Sequence, residues 1–170
     1  MKITNEELMH EIWRMQLEKT ASGVINHYIG GGIGLESGTY DERKHYACDV
    51  HIMDRDKITK KIGYTRLLHR IRRLSDDGSI KTLMTTGTYL KGKRVSTVLT
   101  FMIDCKEAES AYYDSCEFWR SNGVPSGTYK LEDGRDCCRT TMDVDYDKLL
   151  KECRKMLVGK YGLFTPKNNG

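Results

Sequence analysis

Little in this chain of 170 residues points to a membrane or to an oxidising compartment. No apolar run approaches the roughly 20 residues that a membrane-crossing helix needs. The opening residues, MKITNEELMHEIW, are too polar for the apolar core of a signal peptide. Both absences imply a cytoplasmic protein with no membrane partner. Six cysteines, Cys48, Cys105, Cys116, Cys137, Cys138 and Cys153, lack the spacing of a small disulfide framework, and adjacent cysteines rarely bond to each other. Reduced thiols are therefore expected.

The motifs that carry chemistry are missing too. There is no G-x-S-x-G elbow, no H-E-x-x-H, no P-loop and no acidic cluster of the nuclease kind. The glycines at 30, 31, 32, 34 and 38 lack the Gly-Lys-Ser/Thr ending of a phosphate loop, so they read as a loop and nothing more. His45, Cys48 and His51 are spaced H-x-x-C-x-x-H, with Cys137 and Cys138 far downstream. Structural zinc sites usually present C-x-x-C pairs, and adjacent cysteines on a strand point apart, so no metal is expected. Asp143 and Asp145 read as the cap and first turn of a helix, where carboxylates complement the helix dipole. The expectation is a non-enzyme without cofactors.

What is present is concentrated between Asp54 and Gly78, DRDKITKKIGYTRLLHRIRRLSDDG. Ile58 and Ile62 lie four apart on one side of a first short helix, and Gly63 ends it. Tyr64 and Thr65 are read as the turn, with Thr65 as N-cap of a second helix. Leu67, Leu68, Ile71 and Leu74 share one face of that helix, and at about 3.6 residues per turn the opposite face carries Arg66, His69 and Arg73, flanked by Arg70 and Arg72. Between Arg55 and Arg73 eight cations stand against Asp56 alone, a local +7 in a chain whose total is +4. A field this local suits a polyanion, although a solvated helix face is the ordinary fate of a charge run.

The run ITKKIGYTRLLHRIRRLSDDGSI resembles the helix-turn-helix of the winged-helix family of bacterial and phage DNA-binding proteins. In that family the second helix ends at an acidic residue and glycine, here Asp77 and Gly78, and a hairpin called the wing follows. Ile80 to Tyr89 and Val95 to Ile103 are β-prone runs on either side of the basic glycine turn LKGKR. The resemblance covers about 54 to 104. It implies an α+β fold with a winged helix-turn-helix core, a β-hairpin wing and a C-terminal helical extension. It also implies binding of double-stranded DNA by a homodimeric transcriptional regulator. Thr65, Arg66, His69, Arg70 and Arg73 would then face the major groove, Lys60 and Lys61 would hold backbone, and Lys91, Lys93 and Arg94 would reach phosphate from the wing. The alternative partner is a protein: a phage inhibitor of a host nucleoprotein machine, such as an anti-CRISPR protein, can use the same scaffold.

Around this core, Thr4 and Glu7 have capping-box spacing for a helix through Leu8, Ile12, Trp13 and Leu17. Val24 to Ile29 reads as a short strand, and Asp41 to Met53 is ambiguous between helix and strand. Lys106 to Trp119 is an amphipathic helix with Ala111, Tyr112, Cys116 and Trp119 inward. Cys137 to Val144 suggests a strand, and Tyr146 to Val158 a helix closed by Gly159. The expected division is a domain over 1–104 with a glycine-rich insertion, a helical extension over 105–165 that is core or a dimer seam, and a disordered tail over 166–170.

Overall fold

The computed structural model describes residues 2–31, 50–52, 56–123, 129–130, 136–137 and 145–164. Among them helices predominate over strands, in the order α1 (Asn5–Gly31), β1 (Val50–Ile52), α2 (Lys57–Ile62), α3 (Tyr64–Asp76), β2 (Lys81–Leu90), β3 (Lys93–Met102), α4 (Lys106–Ser121), β4 (Tyr129–Lys130), β5 (Asp136–Cys137) and α5 (Tyr146–Tyr161). The chain divides into two compact units. One takes the described residues up to Gln16, those from β1 to Cys105, and Phe164; the other takes α1 from Leu17 onward and the chain from Lys106 to Leu163. The later part of α1 thus groups with the C-terminal helices rather than with the α2–α3 pair.

In the first unit, α1 opens with a reciprocal capping box. The Thr4 N–H donates to Glu7 Oε2 and the Glu7 N–H to Thr4 Oγ1, both at 3.1 Å, which satisfies two donors that a helix start leaves open. Leu8, Ile12 and Trp13 from α1, Leu67 and Ile71 from α3, and Phe101 from β3 are buried. The sheet is antiparallel in the order β1-β3-β2. β2 and β3, ten residues each, form a hairpin with Gly87 opposite Thr97, and β1 covers only Leu99 to Phe101 of β3.

In the second unit, α4 buries Ala111, Tyr112, Cys116 and Trp119, the inward set expected from periodicity, and also Ala108 and Ser115. Ser115 Oγ donates to the Thr20 carbonyl at 2.9 Å and Trp119 Nε1 to the Ala21 carbonyl at 2.8 Å, so α4 is tied to α1 by polar contacts inside an apolar seam. Trp119 stacks on Tyr146, with ring centroids 5.7 Å apart, and α5 buries Leu149, Cys153 and Leu157. Asp145 caps α5, its carboxylate accepting the Lys148 N–H at 3.2 Å. A small antiparallel pair, β4 with β5, completes the described residues.

Local expectations change in three places, and one ambiguity is resolved. Val24 to Ile29 is helical, not a strand, and Gly30 and Gly31 are helical, not loop, because α1 runs on to Gly31; extending a helix fixes one residue per hydrogen bond gained, and that cooperativity overrides a short β-branched stretch. Tyr64 and Thr65 are not the turn: α3 starts at Tyr64, so Thr65 is no N-cap and Gly63 alone joins the two helices. Helix α5 passes through Gly159 and ends at Gly162, whose N–H donates to the Val158 carbonyl at 2.8 Å. Of the ambiguous 41–53 stretch, Val50–Ile52 is a strand. The glycines from 32 to 38, Asp143 and the tail after Phe164 lie outside the described residues, as does most of the strand expected over 137–144.

Candidate nucleic-acid interface

Gly63 sets the geometry of the helix pair. At φ 91° and ψ 137° it closes α2 by donating to the Thr59 carbonyl at 2.7 Å, and its own carbonyl accepts the Leu67 N–H at 3.0 Å, opening α3. A side chain disfavours that conformation, so glycine is the residue that allows a one-residue joint. At the far end Asp77 Oδ1 accepts both the Ser79 N–H at 2.9 Å and the Ser79 hydroxyl at 2.6 Å. Gly78, at φ 87°, turns the chain, and the Ile80 N–H returns to the Leu74 carbonyl at 3.1 Å. The acidic residue and glycine thus deliver the chain from α3 into β2.

Helix α3 is strongly two-sided. Leu67, Ile71 and Leu74 are buried and Leu68 half-buried, whereas Thr65, Arg66, His69, Arg72 and Arg73 are exposed. No hydrogen bond or ion pair engages the side chains of Arg66, His69, Arg72 or Arg73 among the described residues. Arg70 differs: it is half-buried, and its Nη2 donates to Asn5 Oδ1 at 2.7 Å. Its guanidinium is held at the start of α1, which removes it from the open basic set. Nothing in the 54–78 stretch signals this contact, because the acceptor lies 65 residues away. Arg72, read only as a flank, joins the exposed set in its place.

Lys60 and Lys61 are exposed on α2 beside Lys57. They line a groove of about 1030 Å³ whose other wall comes from the start of α1 and carries Glu6, Glu7 and Glu11 against Arg14, an acidic excess. No local pattern in the sequence marks this acidic wall, of which only Glu7 carries a signal, that of a cap. Carboxylates opposite the lysines weaken the case for phosphate at this spot, since like charge repels the polyanion that the lysines attract. At the hairpin tip Lys91 (φ 50°) and Gly92 (φ 76°) form a two-residue turn with both φ positive, the hand that matches strand twist. Lys91 and Lys93 are exposed there; Arg94 lies in β3 with its side chain outside the described residues.

Among the described residues no group of three His, Cys, Asp or Glu side chains is placed to hold a metal. His45, Cys48 and Cys138 lie outside those residues. No helix among the described residues is long and apolar enough to cross a membrane. Cys105, Cys116 and Cys153 form no disulfide; Cys116 and Cys153 are buried and Cys105 is half-buried. In comparisons with protein-family models, curated proteins and solved structures, nothing matches the chain.

Proposed function

We propose that this chain binds double-stranded DNA as a bacterial or phage transcriptional regulator, through α3 and the tip of the β2–β3 hairpin. The α2–α3 pair and the hairpin that follows it are read as a winged helix-turn-helix. The observation that carries this reading is the exposed row Arg66, His69, Arg72 and Arg73, without polar partners among the described residues, opposite the buried Leu67, Ile71 and Leu74. A helix anchored by one face and presenting free guanidinium groups on the other suits the major groove, where arginine can take both acceptors of a guanine. Lys91 and Lys93, on a glycine turn, suit phosphate, which asks for charge rather than fixed geometry. Titrating the purified chain with random duplex and with its own promoter region at several salt concentrations tests the proposal. Steep weakening with salt is expected, about 0.9 in log affinity per log salt for each neutralised phosphate. A flat response, or no duplex binding at low salt, refutes it.

A second reading, a protein-binding inhibitor of a host nucleoprotein machine, is favoured by the groove whose walls carry opposite charge. An acidic wall facing three lysines suits a polypeptide bearing both signs better than it suits a phosphate backbone.

A further inference from the structure

In the sheet order β1-β3-β2, β2 is unpaired among the described residues along its whole outer edge, and β3 is unpaired on its other side over Lys93 to Val98, a stretch that begins with the cations Lys93 and Arg94. Strand edges left this way expose backbone donors and acceptors, and proteins usually blunt them with charge, proline or a bulge. β2 has one such device, the register shift that leaves Leu83 without a partner. Beyond it, Met84 to Leu90 reads MTTGTYL, with no charged residue and no proline, until the chain turns at Lys91. The second register shift falls on β3, between Arg94 and Ser96, so the β2 run itself is uninterrupted.

We propose that this edge takes a second copy of the same chain, in antiparallel pairing centred on Gly87. The run spans three residues on either side of Gly87, so a two-fold axis there places Met84 opposite Leu90, Thr85 opposite Tyr89 and Thr86 opposite Thr88 of the other copy. Such a contact is isologous and closes at two chains. Threonine pairs across antiparallel strands are favourable, and no like charges meet within the paired run. The basic tips do not oppose it either. Lys91 lies four residues from the axis, so at about 3.4 Å per residue the two tips are about 27 Å apart, several screening lengths at physiological salt. A polyanion gains nothing from this neutral stretch. An unrelated peptide would lack the built-in register that an identical strand brings.

The register makes the test specific. At each of the two crossings where position 86 of one copy meets position 88 of the other, T86K/T88K sets two ammonium groups against each other. T86K/T88E instead sets an ammonium against a carboxylate at both crossings. Within the chain, residues 86 and 88 pair with Val98 and Ser96, neither charged, so both variants place similar demands on the hairpin. Light scattering and sedimentation of the full chain over a concentration series should show a dimer for the wild type. T86K/T88K should dissociate at concentrations at least tenfold higher, and T86K/T88E should pair like the wild type. A monomeric wild type at high concentration, or equal association of all three proteins, overturns the proposal. So does loss of pairing in both variants with circular dichroism unchanged, because the Gly87-centred register would then be wrong. Hydrogen exchange of the wild type gives a reading that needs no substitution. Protection of the amides from Met84 to Leu90 should rise with protein concentration, and concentration-independent protection overturns the pairing.

Discussion

Gln16 and Ile103 share two buried hydrogen bonds: the Gln16 amide donates from Nε2 to the Ile103 carbonyl at 2.9 Å and accepts the Ile103 N–H on Oε1 at 2.7 Å. The amide does for the backbone just past β3 what another strand would do, and Gln16 itself is 1% exposed. Its placement shows why a polar residue sits among Leu8, Ile12 and Trp13 on the inner side of α1. Replacing Gln16 with Leu keeps the bulk but leaves both backbone groups without this partner, at about 1–3 kcal/mol for each buried group. Denaturant unfolding of Gln16→Leu should show a lower midpoint with an unchanged slope; an unchanged midpoint would mean that water or another group satisfies Ile103.

Gly63 and Gly159 should respond in opposite directions to alanine. A Cβ at either meets nothing within 4 Å, so crowding plays no part. At Gly63 the φ of 91° costs a side chain about 1–3 kcal/mol. Gly159 lies inside α5, where alanine is favoured over glycine by about 1 kcal/mol. Gly63→Ala should lower the melting temperature and Gly159→Ala raise it, and the same sign for both would contradict the one-residue joint.

Asp114 on α4 accepts from Lys160 Nζ at 2.7 Å and from Tyr161 OH at 2.5 Å on α5. Burial pushes the carboxyl up, but the two hydrogen bonds and the Lys160 charge outweigh it and hold Asp114 below its ordinary value of 3.8. A carboxyl depressed on folding stabilises the fold above that ordinary value, and the contribution is lost as pH falls through the lower folded value. Asp114→Asn should therefore be less stable than the wild type at neutral pH, with the gap closing in acid. Urea titrations from pH 7 down to pH 3 check it; a gap that does not change with pH would assign the loss to packing.

Cys153 is fully buried, and burial pushes its thiol up to about 11 despite the contact with Ser115 Oγ at 3.7 Å. The thiolate is the reactive form, so Cys153 should resist iodoacetamide in the native protein at pH 8 and react once denaturant is added. Peptide mass mapping reads this directly, and fast native labelling would mean that α5 opens readily.

The pattern of the sequence made some of this legible and some not. The burial of Ala111, Tyr112, Cys116 and Trp119 was readable because one helix repeats its own period. The Thr4–Glu7 box was readable because it is local. The extension of α1 through Val24 to Ile29 was not, since cooperative propagation is invisible to a short window. Arg70 shows the same limit at the candidate site: its position on α3 was legible, but not its bond to Asn5, which only tertiary folding brings near. The acidic wall opposite Lys60 and Lys61 likewise comes from a separate part of the chain.

The open arginines of α3 are tested by comparing Arg66→Ala, Arg73→Ala and Arg70→Ala for binding to promoter and random duplex at two salt concentrations. Arg66 and Arg73 are exposed with no polar partner among the described residues, so each alanine should cost about 1–3 kcal/mol of promoter affinity, lose less on random duplex and flatten the salt slope. Arg70 is engaged with Asn5, so Arg70→Ala should change stability more than DNA affinity. If Arg66→Ala and Arg73→Ala bind both duplexes as the wild type does, α3 is not the element that meets DNA.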